Sequence, residues 1–397
     1  MSCIYCGSNG PFTREHVFPR SLGGSDAKEW VLESVVCEKC NNKFSSFERE
    51  FIQETIPINL MRLKYGPRGR TGKPVKPIRL EYLGGGYNKP ETAYVHEGFK
   101  PEYPPQITIT AEYEAGFTAK NHEEGEAFLK QIRDLVDSHV LLNVKRHKGI
   151  REYFWLEIAS GSVIVCETLR EAKSVSRKNV FVVIRNSESK IPTRITRNPD
   201  RAIVLICGDL KKGASDLALF LRSIKHDLYE FIGDLARSER TEDKTPQLHR
   251  KGKIHLPTMA RFTAKTGLNF FYKVMGFDFI MNPVFADIKR FILGEEIWRY
   301  GKPGWPFTFG TPASIKPLFD RNWHTAILNS NKHGYVFILN LFGGWTGTVR
   351  LSEVYLKRPC SAFYRVLYNE LKIEAFTPAT ICELFESYDN GIEEASA

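Results

Sequence analysis

Cys3-Ile4-Tyr5-Cys6, then Glu15-His16-Val17-Phe18-Pro19, then Cys37-Glu38-Lys39-Cys40-Asn41-Asn42: these three pieces decide how the amino-terminal part of the chain is read. Each Cys-x-x-Cys turns two thiolates toward one ion, and two such knuckles complete the tetrahedral shell of a structural zinc. The other four cysteines, Cys166, Cys207, Cys360 and Cys382, are scattered among apolar neighbours and read as buried free thiols. The chain opens MSCIYCG, with neither a basic stretch before an apolar one nor any long apolar run, so a soluble, cytoplasmic protein is expected. In that compartment paired cysteines point to metal rather than to disulfides.

Between the knuckles, Ser21-Leu22-Gly23-Gly24 reads as a loop and Val31-Leu32-Glu33-Ser34-Val35-Val36 as a β-prone run leading into the second pair. Beyond Cys40 the period becomes helical. Phe44, Phe47 and Phe51 fall on one face, and Asn41 and Asn42 sit in the first turn. The expected order is strand, loop, strand, helix.

These residues resemble the zinc-containing HNH endonucleases, whose core reads Cys-x-x-Cys, an acid followed by His near a Pro, Gly-Gly, and a second Cys-x-x-Cys followed by His or Asn. The resemblance covers the first fifty to sixty residues. It implies a zinc-stapled, treble-clef-like ββα-metal module in which His16 is the general base that takes a proton from water. Glu15 and Asn41, or its neighbour Asn42, would hold a catalytic divalent ion, Mg²⁺ or Mn²⁺, distinct from a zinc closed by Cys3, Cys6, Cys37 and Cys40. Two departures stand out. The family's middle Asn, which braces the His-bearing loop, has no counterpart among Leu32, Glu33 and Ser34, and Glu15 replaces the commoner Asp.

Lys and Arg outnumber Asp and Glu by 56 to 46, which fits a partner of negative charge. The surplus is concentrated. Arg62, Lys64, Arg68, Arg70, Lys73, Lys76 and Arg79 follow one another without an intervening acid, among Gly and Pro breakers, and read as an extended nucleic-acid-binding arm over 61–80.

The overall class is α+β. A mixed region over 81–236 is expected to hold strands near Ile107–Thr110, Tyr153–Ile158, Ser162–Cys166, Val180–Ile184 and Ala202–Cys207, a helix from Gly125 to Leu142 and an amphipathic helix over 214–232. A polar linker over 237–256 precedes a carboxyl-terminal region, 257–397. There, Ala260, Ala264, Leu268 and Phe271 mark one helix, Val284 to Leu293 another, and Thr325–Leu328, Tyr335–Leu341 and Thr348–Leu351 a β-meander. The run from Ala260 to Phe279 also looks like a segment that accompanies some HNH proteins, without implying a site.

The function expected from the amino-terminal residues is metal-dependent hydrolysis of nucleic-acid phosphodiesters, DNA ahead of RNA. The alternative is a zinc-stabilised nucleic-acid-binding module without chemistry, which would lack only the cutting.

Overall fold

The computed structural model describes residues 2–66, 75–82, 91–109, 115–136, 140–145, 151–159, 162–170, 180–185, 192–210, 212–217, 220, 248–249, 256–295, 307–310 and 313–376. Contacts divide the chain into two compact units. The first joins residues 1–76, 96–99 and 251–397; the second takes residues 77–95 and 100–250.

In the first unit, β1 (Phe12–His16) pairs antiparallel with β2 (Val31–Cys37), and helix α1 (Glu38–Arg49) follows at once. The expected order of elements is observed. The register slips between Thr13, opposite Val36, and Glu15, opposite Leu32, so Arg14 faces a β2 segment that bulges at Ser34 with φ +60°. A bulge re-aims the side chains beside it, here those at the end of β1. Past α1 a π turn over Glu50–Glu54 leads into α2 (Ile56–Tyr65).

The carboxyl-terminal part supplies α3 (Leu256–Met275), α4 (Ala286–Leu293) and a six-stranded antiparallel sheet. Its strands are β3 (Phe307–Phe309), β4 (His324–Asn331), β5 (Gly334–Leu341), β6 (Trp345–Ser352), β7 (Ser361–Leu367) and β8 (Lys372–Phe376), in the spatial order β3-β6-β5-β4-β7-β8. The meander lies at β4, β5 and β6; β4 and β6 run up to three residues past their expected ends and β5 starts one residue early.

Helix α3 is buried on nearly every side, from Thr258 through Phe271, whereas its sequence suggests one apolar face. A helix covered all round must be lined by other elements. On one side Phe51 stacks on Phe262 at 4.1 Å and Trp30 meets Phe270 at 6.2 Å; on another Phe337 of β5 stacks on Phe270 at 5.8 Å. Gly267 permits this approach, because a Cβ there would lie 2.7 Å from the Phe337 ring. Fully burying each of these aromatic rings contributes about 1.5–3 kcal/mol, so the amino-terminal strands, α3 and the sheet are held by one core.

The second unit is built on an eight-stranded mixed sheet, in the order 162–170, 151–159, 140–145, 180–185, 203–207, 193–197, 106–109 and 115–118. Among the described residues the parallel pairs are those of strand 180–185 with 140–145 and with 203–207. A second sheet contains Ile78–Tyr82, Glu91–His96, Lys100–Glu102 and Leu248–His249. The unit's long helix runs His122–Val136. Of the amphipathic helix over 214–232, residues 212–217 and 220 are helical and the rest lie outside the described residues. Mixed helix and strand content fits the α+β class. No helix among the described residues is long and apolar enough to cross a membrane.

Candidate active site

The four thiols of Cys3, Cys6, Cys37 and Cys40 converge, their sulfurs all within 4.8 Å of one another. Four sulfurs about 2.3 Å from a tetrahedral zinc stand about 3.8 Å apart, so the group could hold zinc with little adjustment. Local backbone explains the convergence. Gly7, at φ +73°, donates its N–H to the Cys3 carbonyl at 2.9 Å, and Ile4 N–H donates to Val35 O at 2.9 Å, fixing the first knuckle to β2. The second knuckle spans the junction of β2 and α1, and Cys37 N–H points at Cys3 Sγ at 3.4 Å. A hydrogen bond with Cys40 holds the Cys3 thiol down to about 4, and the same contact pushes Cys40 well above the thiol range. Such a proton between crowded sulfurs is what a bound dication would displace.

At the end of β1, His16 Nε2 lies 2.8 Å from Asp26 Oδ1, and Arg20 Nε donates to Asp26 Oδ2 at 2.7 Å. The hydrogen bond from His16, helped by Arg20, holds the Asp26 carboxyl below its ordinary value. An ionised carboxylate only accepts, so Nε2 must carry the proton, and in the neutral ring the lone pair then sits on Nδ1. His16 is partly open to solvent, with 23% of its side chain exposed.

The loop that carries Arg20 and Asp26 is shaped by its glycines. Gly23, at φ +91°, ends the short helix Arg20–Leu22 and lies against the backbone of Tyr368, while a Cβ on Gly24 would come 2.0 Å from Phe18 O. His324 of β4 accepts from Phe342 N–H through Nδ1 and therefore donates through Nε2 to Leu22 O at 3.0 Å. Burial drives its pKa down to about 3, so this imidazole is a neutral brace under the loop.

Glu15 faces inward. It is 6% exposed, in ionic contact with Lys265 of α3, and accepts from Asn269 Nδ2 at 3.3 Å. Lys265, wholly buried, also reaches Glu48 of α1 at 2.7 Å, and these two carboxylates keep its ammonium protonated against the opposing effect of burial. Asn41 sits against β1, its Nδ2 donating to Thr13 Oγ1 at 2.9 Å and Arg14 O at 3.2 Å. Asn42 turns the other way, into an open cleft of about 730 Å³ with Ser8, Pro11 and Cys37. Thus Asn41 leans on the middle of β1, Glu15 points into the core toward α3, His16 points to Asp26, and Asn42 lines the separate cleft.

The extended arm expected over 61–80 is not what the described residues show, since 61–65 belong to α2 and 78–80 to a strand. Arg62 lies in α2, buried, with a guanidinium N–H directed at Ile52 O at 3.4 Å, and burial lowers its pKa to about 10; it is not available to a phosphate backbone. Lys64 and Lys76 are exposed, Arg79 lies in the strand Ile78–Tyr82, and Arg68, Arg70 and Lys73 fall outside the described residues. Asp26, Arg20, Lys265, Asn269 and His324 had no motif to mark them. Only the position of Asp26 just past Gly-Gly hinted at a place near His16.

Residues 3–56 match the family model described as HNH endonuclease. Within this HNH segment lie both knuckles, the acid-His pair and the Asn pair. At family level the match suggests a nuclease activity acting on nucleic acid. Neither the curated proteins nor the solved structures gave a match.

Proposed function

We propose that the chain is an HNH-type endonuclease that hydrolyses nucleic-acid phosphodiesters, with DNA its first substrate. The observation that carries the reading is the hydrogen bond between His16 Nε2 and Asp26, made at the end of a strand tied to the four-thiol group. With Nε2 so engaged, His16 Nδ1 takes the proton of a water as its oxygen forms the new P–O bond and the bond to the leaving sugar oxygen breaks. Asp26 then sits beside the imidazolium and offsets its charge.

Asn41 spends its NH₂ group on β1, which leaves its carbonyl oxygen for a hard cation, whereas Glu15 is buried and engaged through Oε1 by Lys265 and Asn269. Mg²⁺ or Mn²⁺ characteristically keeps waters and takes one or two protein oxygens together with substrate phosphate. Bound there, it would supply charge neutralisation at the leaving oxygen. Zinc in the four-thiolate shell has no open position and is structural in this reading. Lys64 and Lys76 would add sequence-independent, salt-sensitive affinity.

The test is cleavage of supercoiled DNA, single-stranded DNA and RNA by the wild type and His16→Ala, with Mg²⁺, with Mn²⁺ and with chelator. Cutting that needs a divalent ion and disappears in the variant supports the reading. Salt-sensitive binding without cutting under any condition would replace it with a non-catalytic zinc-stabilised binding module.

A further inference from the structure

The residues that hold His16 and Glu15 from behind come from the far end of the chain. Asn269 Nδ2 donates to His16 O at 3.1 Å and to Glu15 Oε1, while its Oδ1 accepts from Tyr5 OH at 2.6 Å. Lys265, one turn away on α3, joins Glu15 of β1 to Glu48 of α1. All of these contacts are buried or partly buried, and both α3 side chains are fully covered. A three-way amide and a shared ammonium thus tie together the strand that ends in His16, the helix that carries Asn41 and the first knuckle.

We infer that α3 is a working part of the nuclease centre, with Asn269 as the positioning residue for His16 and Lys265 as the clamp that sets β1 against α1. The argument has three steps. General-base chemistry depends on the placement of Nδ1, and an error of about 1 Å can cost about a hundredfold in rate. His16 ends a two-stranded ribbon that carries a bulge and has no third strand beside it, so its placement depends on what packs behind β1. Asn269 and Lys265 supply the missing constraint, with buried hydrogen bonds to the His16 carbonyl and the Glu15 carboxylate. Neither residue touches substrate in this scheme; both act through Glu15 and His16. The inference rests on the nuclease reading for its kinetic consequence, but not for its structural one.

The experiment uses the full chain carrying Asn269→Leu, the smaller and still polar Asn269→Ser, and Gly334→Ala as a control in the sheet. Gly334→Ala drives a methyl against the Ser352 carbonyl away from the network, so it reports on a general loss of stability. Cleavage of bis(p-nitrophenyl) phosphate with Mn²⁺ gives kcat and KM. The His16 imidazole resonance, assigned by its loss in His16→Ala, reports on the ring directly. Bound zinc is measured beside both.

The expected result for either Asn269 variant is a kcat lowered about 10- to 100-fold with KM within twofold, zinc retained and the His16 resonance moved. Gly334→Ala should lower the melting temperature while leaving kcat and the resonance near wild type. If Asn269→Leu does not fold, Asn269→Ser decides. The inference is overturned if kcat and the His16 resonance stay at wild-type values in the Asn269 variants, or if Gly334→Ala reproduces their effect on both. Should the wild type cleave nothing, the nuclease reading fails, and the resonance alone still decides whether Asn269 positions His16.

Discussion

The buried imidazole under the catalytic loop makes stability depend on acidity in a calculable way. His324 is fully buried, with both ring nitrogens committed, and its pKa falls from the ordinary 6.5 to about 3. Above pH 6.5 the ring is neutral in both folded and unfolded chains, and the group adds no pH dependence. Below that value the unfolded chain takes up a proton that the folded one refuses, so stability drops as pH falls and levels off only near pH 3. Each unit of pH in that window costs about 1.4 kcal/mol, so lowering the pH to 5 removes about 2 kcal/mol. Replacing His324 with Gln deletes the titration, and the difference between wild type and variant isolates it from every other group. In thermal melts at pH 7.5, 6 and 5, the wild type should lose about 2 kcal/mol relative to His324→Gln, about 4–8 °C for a unit of this size. Parallel pH profiles for the two proteins would show that His324 titrates normally in the folded state, and the neutral brace beneath Leu22 would have to be abandoned.

Other outcomes follow from the same geometry. Asp26→Asn can present an N–H to the ring and so draw the lone pair to Nε2; cleavage kcat should fall about 100-fold or more with zinc content unchanged, and an unaltered kcat would remove Asp26 from the mechanism. Cys37→Ala should release the metal and unfold the amino-terminal strands, read as loss of zinc by atomic absorption together with a collapsed melting transition, because structural zinc contributes folding free energy outright. Gly24→Ala places a methyl against the Phe18 carbonyl in rigid backbone, and a loss of roughly 1–3 kcal/mol in denaturant titration is expected, with cleavage impaired further because the loop carries Asp26.

Much of the amino-terminal site is legible in the sequence because its signals are local. The Cys-x-x-Cys pairs, the Gly-Gly turn and the Phe44, Phe47 and Phe51 stripe each report on a few neighbouring residues, and the strand, loop, strand, helix order follows from them. What remained hidden depends on partners hundreds of residues away. Lys265 sits in a run, Ala264-Lys265-Thr266, that has the look of an exposed polar face; its burial becomes intelligible only once Glu15 and Glu48 are seen beside it. Asp26 is one loop carboxylate among several, and nothing local marks it as the acceptor for His16. Arg62 illustrates the reverse error, where a charge counted with a basic run is drawn into a core by the helix it belongs to. Ser34 stands at the β2 bulge in a left-handed conformation, and the loop after His16 is held through Asp26 and His324 while Asn269 holds the His16 carbonyl.

The separation of Glu15 from Lys265 by 250 residues also sets a clock. A ribosome adding about 5–20 residues per second needs roughly 12–50 seconds between the two. Throughout that interval the nascent amino terminus can gather its thiols around zinc, but Tyr5, Trp30 and Phe51 have not yet met the rings and amides of α3 that cover them. The growing chain therefore needs shelter for these aromatics during translation. On the nuclease reading, the base also waits for part of its support until that helix is made.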